Sequence, residues 1–283
     1  MGLGGSPDAA TPVGDNRPIG MFDSGFGGLT VARAVLDLLP DEALVYVGDT
    51  ARYPYGPRPL AEVRDFARQI AGFLAADHRV KLLVVACNTA SAAALEELRA
   101  ESPVPVVSVV EPGVRSLVRA TESGRVGVIG TVGTIASGAY QRAVAATGAG
   151  VELTCAACPG FVEFVERGET AGEQVVVLAE RLLAPVVAAG VDTLLLGCTH
   201  YPYLARTISD VVGHDVTLVS SADETAFEIR ALLGDGGIGA RAATPGRPGP
   251  PRTFLSSGDP TWFRDLGGRL LGPELAEAGP VPW

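Results

Sequence analysis

A short apolar run that ends in a cysteine occurs twice in this chain, and the repetition restricts its folding more than any other feature. Lys81 to Ala86 runs into Cys87, followed by Asn88, Thr89 and Ser91; Val191 to Gly197 runs into Cys198, followed by Thr199, His200, Tyr201 and Pro202. Each run is too short for a core helix and has the continuous hydrophobicity of a strand buried on both faces. Upstream of each lies a second matching pair. Ile19 to Phe22 feeds Asp23, Ser24 and Gly25, and Arg125 to Gly130 feeds Thr131, Val132, Gly133 and Thr134. Ser24 to Cys87 is 63 residues and Thr131 to Cys198 is 67. The spacing reads as an internal repeat of two α/β halves. If they pack about a pseudo-twofold axis, the two cysteines meet across a cleft.

The rest of the chain agrees with that reading. Strand-like segments at 18–22, 44–47, 82–86 and 104–109 alternate with helical periodicity at 29–39, 59–77 and 90–100. Such alternation predicts two doubly wound, mostly parallel sheets with a site at the strand C-terminal ends. Beyond the second half, 216–219 reads as a strand and 222–233 as a helix. A Gly/Pro/Ala-rich excursion from Gly234 to Arg252 follows, then a strand at 253–258 and a helix at 261–271. Residues 1–18 and 272–283 read as a disordered extension and a tail.

Composition narrows the function. At 283 residues with 47% hydrophobic and 19% charged residues, the chain is of ordinary globular make-up. A net charge of −10 argues against direct nucleic-acid binding and requires local donors for any anionic ligand. With no membrane-length apolar run, no signal-peptide pattern and only four cysteines, a cytoplasmic location is expected.

Cys87 and Cys198 are the leading chemical candidates. Either alone reads equally well as a small buried hydrophobe. At equivalent strand ends, each opening a helix, they form a pair that can carry one thiolate and one thiol, the helix start favouring the thiolate. A base on one face of a carbon and an acid on the other is what inversion of a stereocentre needs. His200 is a proton partner or donor beside Cys198, and Asp23 an N-cap or a group tuning Cys87. Ser24, Asn88, Thr89 and Thr199 are good helix caps singly; together they form a ring of neutral donors suited to carboxylates. Tyr55 and Gly56 lie in a Pro-rich loop able to place a ring and a backbone amide over a ligand. Cys155 and Cys158 have CxxC spacing but no accompanying ligand set, so neither a metal nor a cofactor is called for.

These motifs strongly resemble those of the cofactor-independent aspartate/glutamate racemase superfamily, and of its bacterial glutamate racemase branch, from about Ile19 to Leu271. The resemblance implies interconversion of L- and D-glutamate for peptidoglycan synthesis, with Cys87 and Cys198 as acid/base residues and no cofactor. It implies substrate contacts from Asp23, Ser24, Tyr55, Gly56, Asn88, Thr89, Thr199 and His200, with Thr131 and Thr134 as secondary contacts. Glu166 matches a family glutamate near the second cysteine, with Glu163 a competing alignment. It further implies one unit built from 19–110 and 222–271, a second from 111–221, and a homodimer. A contact with DNA gyrase is reported for some relatives. An aspartate or broad-specificity racemase is the nearer rival; a Cys198/His200 hydrolase is the more distant one and leaves Cys87 without a role.

Overall fold

The computed structural model describes residues 14–234, 238–241 and 249–283. Among these, two parallel sheets carry the fold. The first unit opens with β1 (Ile19–Asp23), α1 (Leu29–Leu38), β2 (Leu44–Gly48), α2 (Leu60–Ala76), β3 (Leu82–Val85), α3 (Asn88–Glu101) and β4 (Val106–Ser108). Helix α4 (Val110–Ala120) leads to β5 (Arg125–Gly130), α5 (Val132–Ala136), α6 (Ala139–Ala146) and β6 (Glu152–Ala157). Then come α7 (Phe161–Glu166), α8 (Glu173–Ala188), β7 (Thr193–Gly197), a 3₁₀ turn at Tyr201–Leu204, α9 (Ala205–Val212) and β8 (Thr217–Val219). The chain closes with α10 (Ala222–Gly234), β9 (Arg252–Ser256), α11 (Pro260–Leu271) and β10 (Gly279–Pro280).

The sheet orders are β10-β9-β2-β1-β3-β4 and β6-β5-β7-β8. Without β9 and β10, the first is β2-β1-β3-β4, strand for strand the order of the second. The repeat read from the sequence is therefore a repeat of topology, with β1 equivalent to β5 and β3 to β7. Every residue of β1, β3 and β7 is buried, as expected of strands covered by helices on both faces. The amphipathic helices supply that cover. In α2 the buried residues Val63, Ala67, Ile70, Ala71 and Leu74 fall at helical spacing and pack with Val45, Val47, Leu83 and Val85.

The C-terminal stretch departs from expectation. The 272–283 stretch is not a loose tail: Leu275 enters the first core, β10 pairs with β9, and Val281 donates its amide to Ser256 O at 2.9 Å. Leu275 and Val281 are buried in separate core clusters, and burying each contributes about 1.5–3 kcal/mol. The expected extension and the Gly234–Arg252 excursion lie largely outside the described residues. At their described edges, Lys81 Nζ donates to Asp15 O at 2.8 Å and to Gly239 O at 3.0 Å. The same ammonium forms a buried 2.7 Å ion pair with Glu42.

Candidate active site

Four strand ends converge on one pocket. β1 delivers Asp23 and Ser24; β3 delivers Cys87, Asn88 and Thr89. From the second sheet, β5 delivers Thr131 and β7 delivers Cys198, Thr199 and His200. Tyr53, Pro54, Tyr55 and Gly56 of the β2–α2 loop complete the wall with Val162 of α7. Both cysteines thus line the same cavity. Among the described residues, no lysine or arginine lines it, so an anion bound there would be held by hydroxyls, amides, helix N-termini and His200. Its free volume is about 20 Å³, roughly the space of one water, so admitting an amino acid requires the walls to part.

The two sulfurs have unlike surroundings. Cys87 caps α3, its sulfur accepting from Ala90 N at 3.5 Å. The helix start was expected to favour the thiolate here, but burial outweighs it. Burial first, then the charge of Asp23, push the thiol well above its ordinary range, against the backbone hydrogen bonds of Ala90 and Ser24. Asp23 also accepts from Gly28 N at 2.8 Å; it is not the N-cap of α1, a position that Gly28 itself occupies.

Cys198 instead faces His200, whose Nδ1 lies 3.9 Å from the sulfur and whose Nε2 lies 3.2 Å from Glu166 Oε1. Burial works to lower the imidazole, but its hydrogen bonds to Cys198 and Glu166 prevail and raise it to about 10. A doubly protonated ring donates from both nitrogens, matching the two acceptors. Glu166, not Glu163, is the carboxylate on His200; Glu163 lines a neighbouring cavity of about 70 Å³.

Three hydroxyls tie the halves together. Thr89, Thr131 and Thr134 form a closed triangle with Oγ1 separations of 3.0, 3.1 and 2.9 Å. Thr134 is fully buried and does not line the pocket; it stands behind Thr89 and Thr131. Gly133 N donates to Gly56 O at 3.0 Å, crossing the same seam. Tyr55 keeps its ring in the wall while its hydroxyl turns away to Asp49.

Some contributors escaped the sequence reading. Asn88 Nδ2 donates to the buried Tyr140 hydroxyl at 2.7 Å, leaving Asn88 Oδ1 buried without a protein partner. Nothing around Tyr140 marks it, because its role exists only once α6 faces α3. Gly27 matters for its size: a Cβ there would collide with His200 Nδ1 and Thr199 Oγ1. Cys155 and Cys158 are free thiols raised by burial to about 11 and about 12.

The geometry describes a racemase-type site, and comparison with known proteins supports that class. The chain belongs to the Asp/Glu/Hydantoin racemase family, which it matches over residues 29–228. Within it, a glutamate racemase of Parafrankia sp. (strain EAN1pec) is 55% identical over 94% of both chains. Glutamate racemase isoform RacE1 of Bacillus anthracis superposes with a TM-score of 0.85 at 39% identity, covering 93% of this chain and 96% of that one. The Francisella tularensis enzyme, solved in complex with D-glutamate, has a TM-score of 0.86 at 33% identity, covering 94% and 97%.

Proposed function

We propose that this protein is a glutamate racemase in which Cys87 and Cys198 act from opposite faces of the α-carbon. The observation that carries the reading is the arrival of both sulfurs, from equivalent strands of two sheets with one order, in a single pocket. One thiolate takes the α-proton to give a planar carbanion, and the opposing thiol returns a proton to the other face. Burial and Asp23 favour the thiol at Cys87, whereas the sulfur of Cys198 lies 3.9 Å from His200 Nδ1. In the reverse direction the two exchange roles.

The α-proton of an ionised amino acid is very weakly acidic, so the pocket must stabilise the charge that develops as it leaves. Preorganised donors serve this purpose: Ser24, Asn88, Thr89, Thr131 and Thr199, with the starts of α3 and α5 behind them. Walls that part to admit substrate and close again over it would exclude solvent from the reacting carbon. The product D-glutamate would feed peptidoglycan synthesis, which rescue of a D-glutamate auxotroph would test.

Incubation of the purified protein with L-glutamate in D₂O tests the chemistry. D-Glutamate carrying α-deuterium is expected, lost in Cys87→Ala and Cys198→Ala and retained in Cys155→Ala. Racemisation at the unmodified rate by either of the first two variants refutes the two-thiol scheme.

A further inference from the structure

Tyr55 lines the active site, yet its hydroxyl points out of it and onto Asp49, a carboxylate with no solvent exposure. Asp49 also accepts from Ser257 Oγ at 2.6 Å and from Arg52 Nε at 2.7 Å. Ser257 arrives with the end of β9, so Asp49 is gripped from the C-terminal segment as well as from its own loop. Arg52 in turn gives Nη1 to Gln69 Oε1 at 2.6 Å, and its carbonyl accepts from Arg58 Nε at 2.8 Å. The 49–58 loop is thereby closed on itself by two guanidiniums, that of Arg52 on Asp49 and that of Arg58 on the Arg52 carbonyl.

The Arg52 guanidinium is seated by aromatic faces. Its carbon lies 4.4 Å from the Phe66 ring centre and 5.8 Å from that of Trp283, within the range of cation–π attraction. Its Nη2 is buried with no hydrogen-bond partner, so on that side the rings alone define its position. Trp283 is fixed by an edge-to-face contact with Phe73 at 4.9 Å and by the pairing of β10 with β9. At the far end of the loop, Gly56 meets Thr131 and accepts from Gly133, which places the loop against the second unit.

We propose that Arg52, seated between Phe66 and Trp283, is a positioning residue that holds Tyr55 and the Gly56 wall of the active site through Asp49. The 279–283 segment then acts on substrate binding although it lies outside the pocket. The route is continuous: Trp283 fixes the guanidinium, the guanidinium fixes Asp49, and Asp49 fixes the phenol whose backbone carries the wall. This rests on the racemase reading for its kinetic consequence but not for its structural one.

The test uses the full chain and two readouts. Hydrogen exchange of the 49–58 peptide, measured without substrate, should quicken about ten-fold in Trp283→Ala and Arg52→Met, with Trp283→Phe restoring protection. For glutamate racemisation, the same two variants should raise KM about ten-fold with kcat within about three-fold, and Arg52→Met/Tyr55→Phe should be no worse than Tyr55→Phe alone. Unchanged exchange in both single variants overturns the proposal, as does a double variant in which the effects multiply. Trp283 is 42% exposed, so its replacement keeps the test open should Arg52→Met fail to fold. An unmodified protein that does not racemise glutamate sinks the functional reading, while the exchange result still decides the positioning role.

Discussion

Glu166 and His200 form a partly buried pair 3.2 Å apart, with the imidazole interposed between the carboxylate and the sulfur of Cys198. Cys87 has no such intermediary. Its charged neighbour is Asp23, of the same sign as a thiolate, and burial adds to the penalty. The two matched sulfurs therefore start from opposite electrostatic settings, one favouring the thiol and the other paired with a cation.

The first prediction concerns that cation. The His200 imidazole, ordinarily titrating near 6.5, is raised to about 10 in the folded protein. A raised value means protonation favours the folded state. The stabilisation from this group is complete below about pH 6.5 and is lost as pH rises through about 10. Carbon-detected NMR of the ring should give a midpoint near 10, lowered in Glu166→Gln, which removes one of its two hydrogen-bond partners, with a loss of kcat of about ten-fold or more. A midpoint below 7 in the unmodified protein contradicts the assignment.

Gly27→Ala should fold but fail catalytically. The added methyl meets the His200 ring and the Thr199 hydroxyl, which belong to the other unit, so the easy relaxation is for the units to separate. Misplacement of about 1 Å is enough to cost on the order of 100-fold in rate. Racemisation rates paired with thermal melting check this; a fully active variant shows that the seam tolerates the extra atom.

Tyr140→Phe removes the acceptor of Asn88 Nδ2. The buried amide nitrogen then lacks its partner, a cost of about 1–3 kcal/mol, and the side chain loses the tether that orients it in the pocket wall. KM for glutamate should rise while secondary structure by circular dichroism stays the same. An unaltered KM means the amide keeps its orientation by packing alone.

Lys81→Met leaves Glu42 buried without its 2.7 Å counter-charge. Breaking such a pair from one side typically costs about 3–5 kcal/mol. The urea midpoint should drop sharply, and Lys81→Met/Glu42→Leu should recover part of the loss. Because the pair lies at the start of β3, away from the pocket, glutamate KM should not change at temperatures where the variant is folded.

Much of the site was legible because strand ends are local features. Asp23, Cys87, Thr131 and Cys198 each follow an apolar run, and alternation of strand and helix sends such residues to one edge of a parallel sheet. What could not be read depends on contacts between distant segments. Tyr140 and Gly27 become important only when one unit faces the other. The ordering of Leu275, Val281 and Trp283 depends on an open sheet edge that no local pattern reveals. Burial of Cys87 is of the same kind: the helix start is visible in the sequence, but the desolvation that outweighs it is a property of the assembled walls.

The shared strand order has an evolutionary corollary. A doubled half-chain would begin with two interchangeable thiols, giving neither direction of the reaction an advantage. With the two thiols acting as proposed, Asp23 beside one and His200 beside the other end that equivalence, so the two half-reactions become separately adjustable. Changes near Cys87 and changes near Cys198 should therefore move forward and reverse turnover by different amounts, while the ratio of kcat/KM values remains tied to the equilibrium between mirror-image amino acids.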